Sequence, residues 1–246
     1  MNIGIDRRML IVIMAVVAVL SIMSDGTPGI MNTLLIIPAV LIAITFHEFA
    51  HAFAAVKLGD DTPKNQGRLN LNPINHLDPV GTLLLLVAGF GWGRPVEINP
   101  SNFDKKISMS KAEAIVSIAG PLMNFFLAFI FLIIYYAIFI VTDVTAGLST
   151  ELAKYFEIAA FYIVTINIGL GIFNLIPLPP LDGSKIMVHF LPYNGKQWFY
   201  NNIQIFSILF LIIWISGLSR TILSPIFLAV FKGMDWVVAS LFGLFM

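Results

Sequence analysis

Residues 43–51 read AITFHEFAH and place two histidines and a glutamate inside an otherwise apolar stretch. Residues four apart in an α-helix lie one turn apart on the same face, so His47 and His51 can both offer an imidazole to one Zn²⁺. Glu48 then lies beside the metal as a candidate general base. The motif therefore predicts a helix that carries a metal site suited to hydrolysis.

The composition around this motif is that of a membrane protein. The chain has 246 residues, of which 58% are hydrophobic and 11% are charged, and its mean hydropathy is +0.90. An average soluble domain carries about 25% charged residues. We therefore predict an all-α polytopic membrane protein in which residues 1–246 form a single integral-membrane domain.

The net charge and the cysteine count restrict the possible partners and metal ligands. The formal net charge is zero, and the chain has no cysteine. Nucleic-acid binding needs a concentrated basic patch, so no nucleic-acid partner is expected. Thiolate ligands are excluded, and any metal must be bound by His, Asp or Glu.

Six charge-poor runs approximate the roughly 20 residues that a membrane-spanning helix needs. They are residues 9–24, 26–46, 114–142, 158–181, 201–219 and 221–246. The second helix should continue through the histidines to about Leu58. Arg7 and Arg8 precede the first run as in a signal peptide, but a small-residue cleavage site is not evident, so we interpret the run as a retained span. The sequence thus predicts about six transmembrane helices.

Residues 80–92 form a shorter apolar segment between the second and third spans. This segment is too short for a helix to cross roughly 30 Å of hydrocarbon, and Gly81, Gly89 and Gly91 interrupt it. We expect a re-entrant or β-like segment whose backbone groups are satisfied by protein. An apolar surface loop is an equally compatible alternative.

The basic residues favour one orientation in the membrane. The connection between the second and third spans carries Lys57, Lys64, Arg68, Arg94, Lys105, Lys106 and Lys111, whereas residues 24–31 carry no basic residue. Because cytoplasmic connections are enriched in Lys and Arg, this connection should be cytoplasmic. With six spans, both termini are then cytoplasmic, and the HEFAH motif and Asp182 lie on the cytoplasmic side of what we expect to be the cell membrane.

A third metal ligand is needed, because a catalytic zinc typically has three protein ligands and one position for water. Asp182 is the best of the few candidate carboxylates. It lies in residues 174–183, NLIPLPPLDG, where prolines end the helix and Gly183 frees the backbone beside the acid. An ionisable group at this position is costly unless it is paired or coordinated.

The HEFAH and NLIPLPPLDG motifs together resemble the site-2 protease family of intramembrane zinc metalloproteases. Residues 120–124, GPLMN, extend the similarity, which is to the compact bacterial and archaeal branch without a PDZ insertion. The resemblance implies a zinc metalloendopeptidase in which His47, His51 and Asp182 bind one Zn²⁺ per chain and Glu48 activates water. The partners it implies are the lipid bilayer and substrate proteins with transmembrane segments.

Asn124 and Asn174 are amides within apolar helices, and the resemblance places such asparagines near the active site. Each could donate a hydrogen bond to the substrate backbone or to a developing oxyanion. Hydrogen bonding between helices is an equally good explanation of both residues.

Two hypotheses of different classes remain at this point. The resemblance implies regulated cleavage of membrane-tethered proteins or clearance of residual signal peptides. The alternative is a membrane metal transporter or metal sensor that uses the same ligands and does not need Glu48 as a base. The sequence determines neither the substrate nor the oligomeric state.

Overall fold

The computed structural model describes residues 27–79, 81, 92–144 and 151–243, and the regular elements within these ranges are all helical. The helices are α1 (Thr27–Lys57), α2 (Thr62–Asn65), α3 (Pro73–His76), α4 (Met109–Val144), α5 (Glu151–Asn174), α6 (Asp182–Phe190), α7 (Tyr193–Asn201), α8 (Ile203–Ile215) and α9 (Leu218–Leu241), with a 3₁₀ turn at Pro100–Asn102. The predicted all-α class is confirmed for this part of the chain. The first predicted span, residues 9–24, lies outside the described residues.

Four of the described helices, α1, α4, α5 and α9, are long and apolar enough to cross a membrane. Helices α7 and α8 would form a fifth span if the bent pair, with an angle of 65°, is counted as one. The outer surface is strongly apolar: Phe126 is 58% exposed and Ile215 is 82% exposed. Because lipid accommodates such a surface and water does not, the protein is an integral membrane protein. The total of six spans stays a prediction.

Helices α1, α4 and α5 pack closely through small side chains. Ala43, Ala52 and Ala55 of α1 are completely buried, as are Ala112 and Ala128 of α4. Small residues let the backbones of membrane helices approach each other. This close packing brings the polar residues of α1 into direct contact with α4.

Helix α9 runs parallel to α4, whereas six full crossings would make these two helices antiparallel. Tyr136, near the C-terminal end of α4, donates a hydrogen bond to Asp235 Oδ1 over 2.8 Å, and its ring stacks on Phe242 just after α9. The start of α9 lies instead beside Phe173, near the opposite end of the bundle, where both line one cavity.

The direction of α9 follows from the shortness of α8. With 13 residues, α8 is about 20 Å long, which is less than the roughly 30 Å of hydrocarbon that a crossing requires. Phe210 and Trp214 of α8 both contact Phe173, at ring-centroid distances of 5.9 and 5.0 Å, so this helix stays near one end of α5. The predicted cytoplasmic position of the C-terminus required residues 201–219 to cross the membrane fully. The short α8 does not support such a crossing.

The two ends of the 80–92 segment lie side by side. Leu77 and Gly93 form an isolated antiparallel β-bridge, and the Arg94 N–H donates to the His76 carbonyl over 2.8 Å. The buried Arg68 guanidinium donates to the carbonyl oxygens of Asn75 and Arg94, which fastens both ends. Residues 80 and 82–91 lie outside the described residues, so the re-entrant or β-like structure stays a prediction.

Asp60 is completely buried and ties the end of α1 to the 3₁₀ turn. Its carboxylate accepts hydrogen bonds from the backbone and hydroxyl of Thr62, from Asn99 N over 2.6 Å and from Asn102 Nδ2 over 2.9 Å. Burial by itself raises the pKa of Asp60, but these hydrogen bonds outweigh it and hold the pKa below its usual value. The charged form therefore stabilises the folded state.

Asp60→Asn is expected to lower the free energy of unfolding by about 1–3 kcal/mol at neutral pH. The contribution of a carboxylate with a lowered folded pKa is complete above its unfolded pKa of about 3.9, and it is lost as the pH falls through the folded value. The difference between wild type and variant should therefore shrink below about pH 4. Thermal unfolding in detergent measures this difference, and Asp61→Asn, at an exposed neighbour, is the control. A difference independent of pH would contradict this role of the charge.

Candidate metal centre

His47, His51 and Asp182 meet at the contact between α1 and the start of α6. The two Nε2 atoms are 3.0 Å apart, and Asp182 Oδ2 lies 3.2 Å from His47 Nε2 and 3.1 Å from His51 Nε2. Four atoms arranged tetrahedrally around zinc at about 2.0–2.1 Å would be roughly 3.3 Å apart. The spacing of these three atoms therefore suits one zinc ion.

The remaining hydrogen bonds of the two imidazoles leave both Nε2 lone pairs facing the same point. His51 Nδ1 lies 2.7 Å from the Val116 carbonyl oxygen, which can only accept. His47 Nδ1 lies 2.6 Å from Asn124 Oδ1, which also accepts. In the neutral rings the proton is thus on Nδ1, and two bare nitrogens converge with a carboxylate oxygen. Three acceptors at this distance repel one another unless a cation lies between them, so the donor set fits a metal ion.

Glycine at position 183 is what allows Asp182 to reach the histidines. A Cβ atom there would overlap the carbonyl oxygens of Leu175 and Ile176 at the end of α5. Helix α5 ends at Asn174, and the proline-rich segment turns the chain so that Asp182 is the first residue of α6. The predicted end of the helix before the prolines is confirmed.

Gly120 of α4 lies against the two imidazoles. A Cβ atom at this position would overlap His51 Nε2 and lie 2.6 Å from His47 Cε1. Only a residue without a side chain leaves room for both rings at this contact between α4 and α1.

Glu48 is held in place by a backbone group that is distant from it in sequence. The Val96 N–H donates to Glu48 Oε2 over 3.0 Å, and the Glu48 side chain is largely buried. Oε2 is thus engaged in a hydrogen bond. Oε1 has no comparable donor among the described residues and is available to a water molecule or a substrate.

A cavity of about 600 Å³ contains the three metal-ligand candidates and Glu48. Its walls are mostly apolar and come from α1, α4, α5, α8 and the 92–98 segment; they include Ile44, Trp92, Val96, Ile98, Leu170, Phe173, Phe210 and Leu211. The volume lies within the range of about 300–1,000 Å³ that is usual for ligand sites. An extended apolar peptide therefore has space beside Glu48.

Asn124 links three helices and orients His47. Its Nδ2 donates to the Ala43 carbonyl over 3.1 Å and to Asn167 Oδ1 over 2.8 Å, which turns its Oδ1 toward His47. Asn124 and Asn167 are completely buried. Asn167 was not among the predicted site residues, although an amide in the apolar α5 was a usable signal.

Asn124→Ala is expected to weaken zinc binding by about 10–100-fold, because partners of ligating histidines typically have effects of this size. Asn124→Asp keeps an acceptor for His47 Nδ1 but loses both donated hydrogen bonds, so its zinc affinity should lie between those of wild type and Asn124→Ala. The zinc Kd, measured by competition with a chelating dye, tests both changes, and Asn201→Ala on the exposed surface of α7 is the control. Equal zinc affinity in wild type and Asn124→Ala would contradict the orienting role.

Asn174 has a different environment from Asn124. Its Nδ2 donates to the Leu170 carbonyl one turn earlier, over 3.1 Å. The side chain is only partly buried and lines the cavity of the metal centre. Its contact with substrate stays a prediction. His76 and His189, by contrast, belong to no metal-binding group among the described residues.

Two helical histidines, a distant carboxylate and a glutamate beside the first histidine are the constituents of a zinc peptidase centre. The family model described as Peptidase family M50 matches residues 35–216, and the chain belongs to this family. It is a zinc metalloprotease, as the resemblance to the site-2 protease family implied. The family membership decides for the peptidase over the metal transporter or sensor.

Several curated proteins are similar to the chain. "Putative zinc metalloprotease YwhC" of Bacillus subtilis is 43% identical over 187 residues, which cover 75% of this chain and 82% of that protein. "Putative zinc metalloprotease Rip2" of Mycolicibacterium smegmatis is 28% identical over 175 residues, or 67% of this chain and 63% of that protein. No solved structure matches the chain.

Proposed function

We propose that this metalloprotease hydrolyses peptide bonds within the membrane-spanning segments of other membrane proteins. The observation that carries the proposal is the position of the centre. His47, Glu48 and His51 lie on a candidate membrane span and are buried, and they open into a cavity with apolar walls. A soluble substrate would gain little from such walls, whereas an apolar segment gains about 25 cal/mol for each Å² of apolar surface it buries.

The proposed ligands are His47, His51 and Asp182, with one zinc ion per chain. When bound there, zinc lowers the pKa of water to about 7 and polarises the carbonyl group of the substrate. Glu48 Oε1 takes a proton from the attacking water and returns it to the nitrogen of the leaving amine. The Val96 N–H holds Oε2 and fixes the direction in which Oε1 points.

Asn174 is the proposed donor to the substrate. One of its two amide N–H groups is engaged by Leu170, and the residue faces the cavity. The second N–H can donate to a substrate carbonyl or to the oxyanion that develops during attack. Asn124 has no such freedom, because its amide bonds to Ala43, Asn167 and His47, so its proposed role is to orient the ligand.

The proposed location is the cell membrane, with the metal centre toward the cytoplasm. The basic residues of the connection between α1 and α4 support this orientation through the positive-inside rule. Cleavage near the cytoplasmic side would release a cytoplasmic fragment from a membrane-tethered regulator or shorten a residual signal peptide. Both substrate classes present an apolar span, and the apolar walls of the cavity favour such a segment.

Purified protein in detergent or liposomes should cleave a model membrane-spanning peptide, and a zinc chelator should abolish the cleavage. A soluble peptide of the same length without an apolar segment is the matched control substrate and should be cleaved far more slowly. Products are identified by mass spectrometry, which also shows whether the cut lies within the apolar segment. Equal cleavage of both peptides would contradict the proposed substrate class.

A further inference from the structure

Lys185 lies on α6 three residues after Asp182, and the two residues therefore share one face of this helix. Its side chain is exposed and lines the same cavity as Glu48 and Asp182. Among the described residues of the cavity wall, Lys185 is the only lysine or arginine. The substrate cavity therefore contains one flexible cation close to the metal centre.

The two carboxylates of the cavity each have one oxygen engaged. Asp182 Oδ2 lies 3.2 and 3.1 Å from the two histidine Nε2 atoms, and Glu48 Oε2 accepts a hydrogen bond from the Val96 N–H. Lys185 has no hydrogen-bond or ion-pair partner among the described residues. Its ammonium group is thus free to bind an anion that enters the cavity from outside.

The position of Lys185 indicates which anion this would be. Lys185 is exposed, whereas the histidines are buried within the span of α1, so Lys185 lies at the open edge of the cavity. An apolar segment bound beside Glu48 would place its flanking polar residues at this edge. Beside apolar walls, a carboxylate is attracted to an ammonium group more strongly than in water.

We infer that Lys185 is a specificity-determining residue that binds an acidic side chain flanking the apolar segment of the substrate. This inference rests on the proposed function, because it needs an apolar peptide in the cavity. The acidic residue would hold the segment in register, so that one peptide bond lies beside Glu48. Substrates with a basic residue at the same position would be repelled by Lys185.

The experiment starts from one model membrane-spanning peptide and varies six consecutive positions that flank its apolar segment. Each position is occupied in turn by Glu, Gln or Lys. Relative kcat/KM is measured in detergent for wild type, for Lys185→Glu and for Lys106→Glu. Lys106 is exposed and does not line the cavity, so its variant carries the same charge change as a control.

We expect wild type to prefer Glu over Lys by about fivefold at one or more positions, as is typical of partly exposed ion pairs. Lys185→Glu should reverse this preference, Lys106→Glu should not, and high salt should weaken it. The inference would be overturned if the ratio of kcat/KM for the Glu peptide to kcat/KM for the Lys peptide were the same in both enzymes, wild type and Lys185→Glu, at all six positions. Lys185 would then be only a solvated lysine. If wild type cleaves none of the peptides, the proposed function itself fails.

Discussion

Replacement of Glu48 by glutamine is expected to lower the rate of peptide cleavage by about 10²–10⁴-fold, which is the usual contribution of a general base. Glutamine has nearly the same shape, and its carbonyl oxygen can still accept the hydrogen bond that the Val96 N–H now donates to Glu48 Oε2. It cannot take a proton from water. The variant should therefore fold and bind zinc as wild type does, and lose only the chemical step.

The measurement combines kcat for a membrane-spanning peptide with the zinc content of the same sample. Glu97→Gln is the matched control, because Glu97 lies on the same loop as Val96 but is exposed, with its carboxylate bonded to Gln66. We expect this control to keep wild-type activity. Cleavage by Glu48→Gln at a rate within a few-fold of wild type would sink the proposed role of Glu48.

Gly120→Ala is expected to weaken zinc binding by at least about 100-fold, the upper end of what changes around metal ligands usually cost. The added methyl group would overlap His51 Nε2 and lie 2.6 Å from His47 Cε1. Both rings would have to turn away from the position in which their lone pairs converge with Asp182. Alanine is a better helix former than glycine, so the helix itself should persist.

Gly169→Ala is the matched control for this change. Gly169 lies in the apolar helix α5, and a Cβ atom at this position would meet no atom within 4 Å. Zinc content by mass spectrometry and cleavage rate are measured for both variants, and thermal unfolding reports on the fold. If Gly120→Ala binds zinc as tightly as Gly169→Ala does, the two imidazoles do not hold the metal in the arrangement described.

The parts of the protein that sequence could predict are those that depend on local pattern. Apolar length predicted α4 and α5, and the spacing of His47 and His51 placed both on one helical face. The prolines and Gly183 predicted a break that presents an acid. Asp182 could be predicted as the third ligand because a catalytic zinc needs three protein ligands and the chain offers few carboxylates. The structure brings it to the histidines, although 131 residues separate it from His51.

Other features were not predictable because they depend on backbone groups or on packing. The Val96 N–H and the Val116 carbonyl orient Glu48 and His51, and every residue type offers such groups, so nothing in the side chains identifies these two positions. The parallel direction of α9 was not predictable, because hydropathy alone counted residues 201–219 as a full crossing. The helix that forms there, α8, has 13 residues and follows a 65° bend.

We propose that one zinc ion, held by His47, His51 and Asp182, enables this chain to cut peptide bonds in membrane segments. The most direct measurement strips the purified protein with a chelator and titrates zinc back while cleavage of a membrane-spanning peptide is followed. We expect no cleavage by the stripped protein, recovery that saturates at one zinc per chain, and no recovery for Asp182→Ala at the same zinc concentrations. Cleavage that persists in the stripped protein, or full recovery of Asp182→Ala, would contradict it.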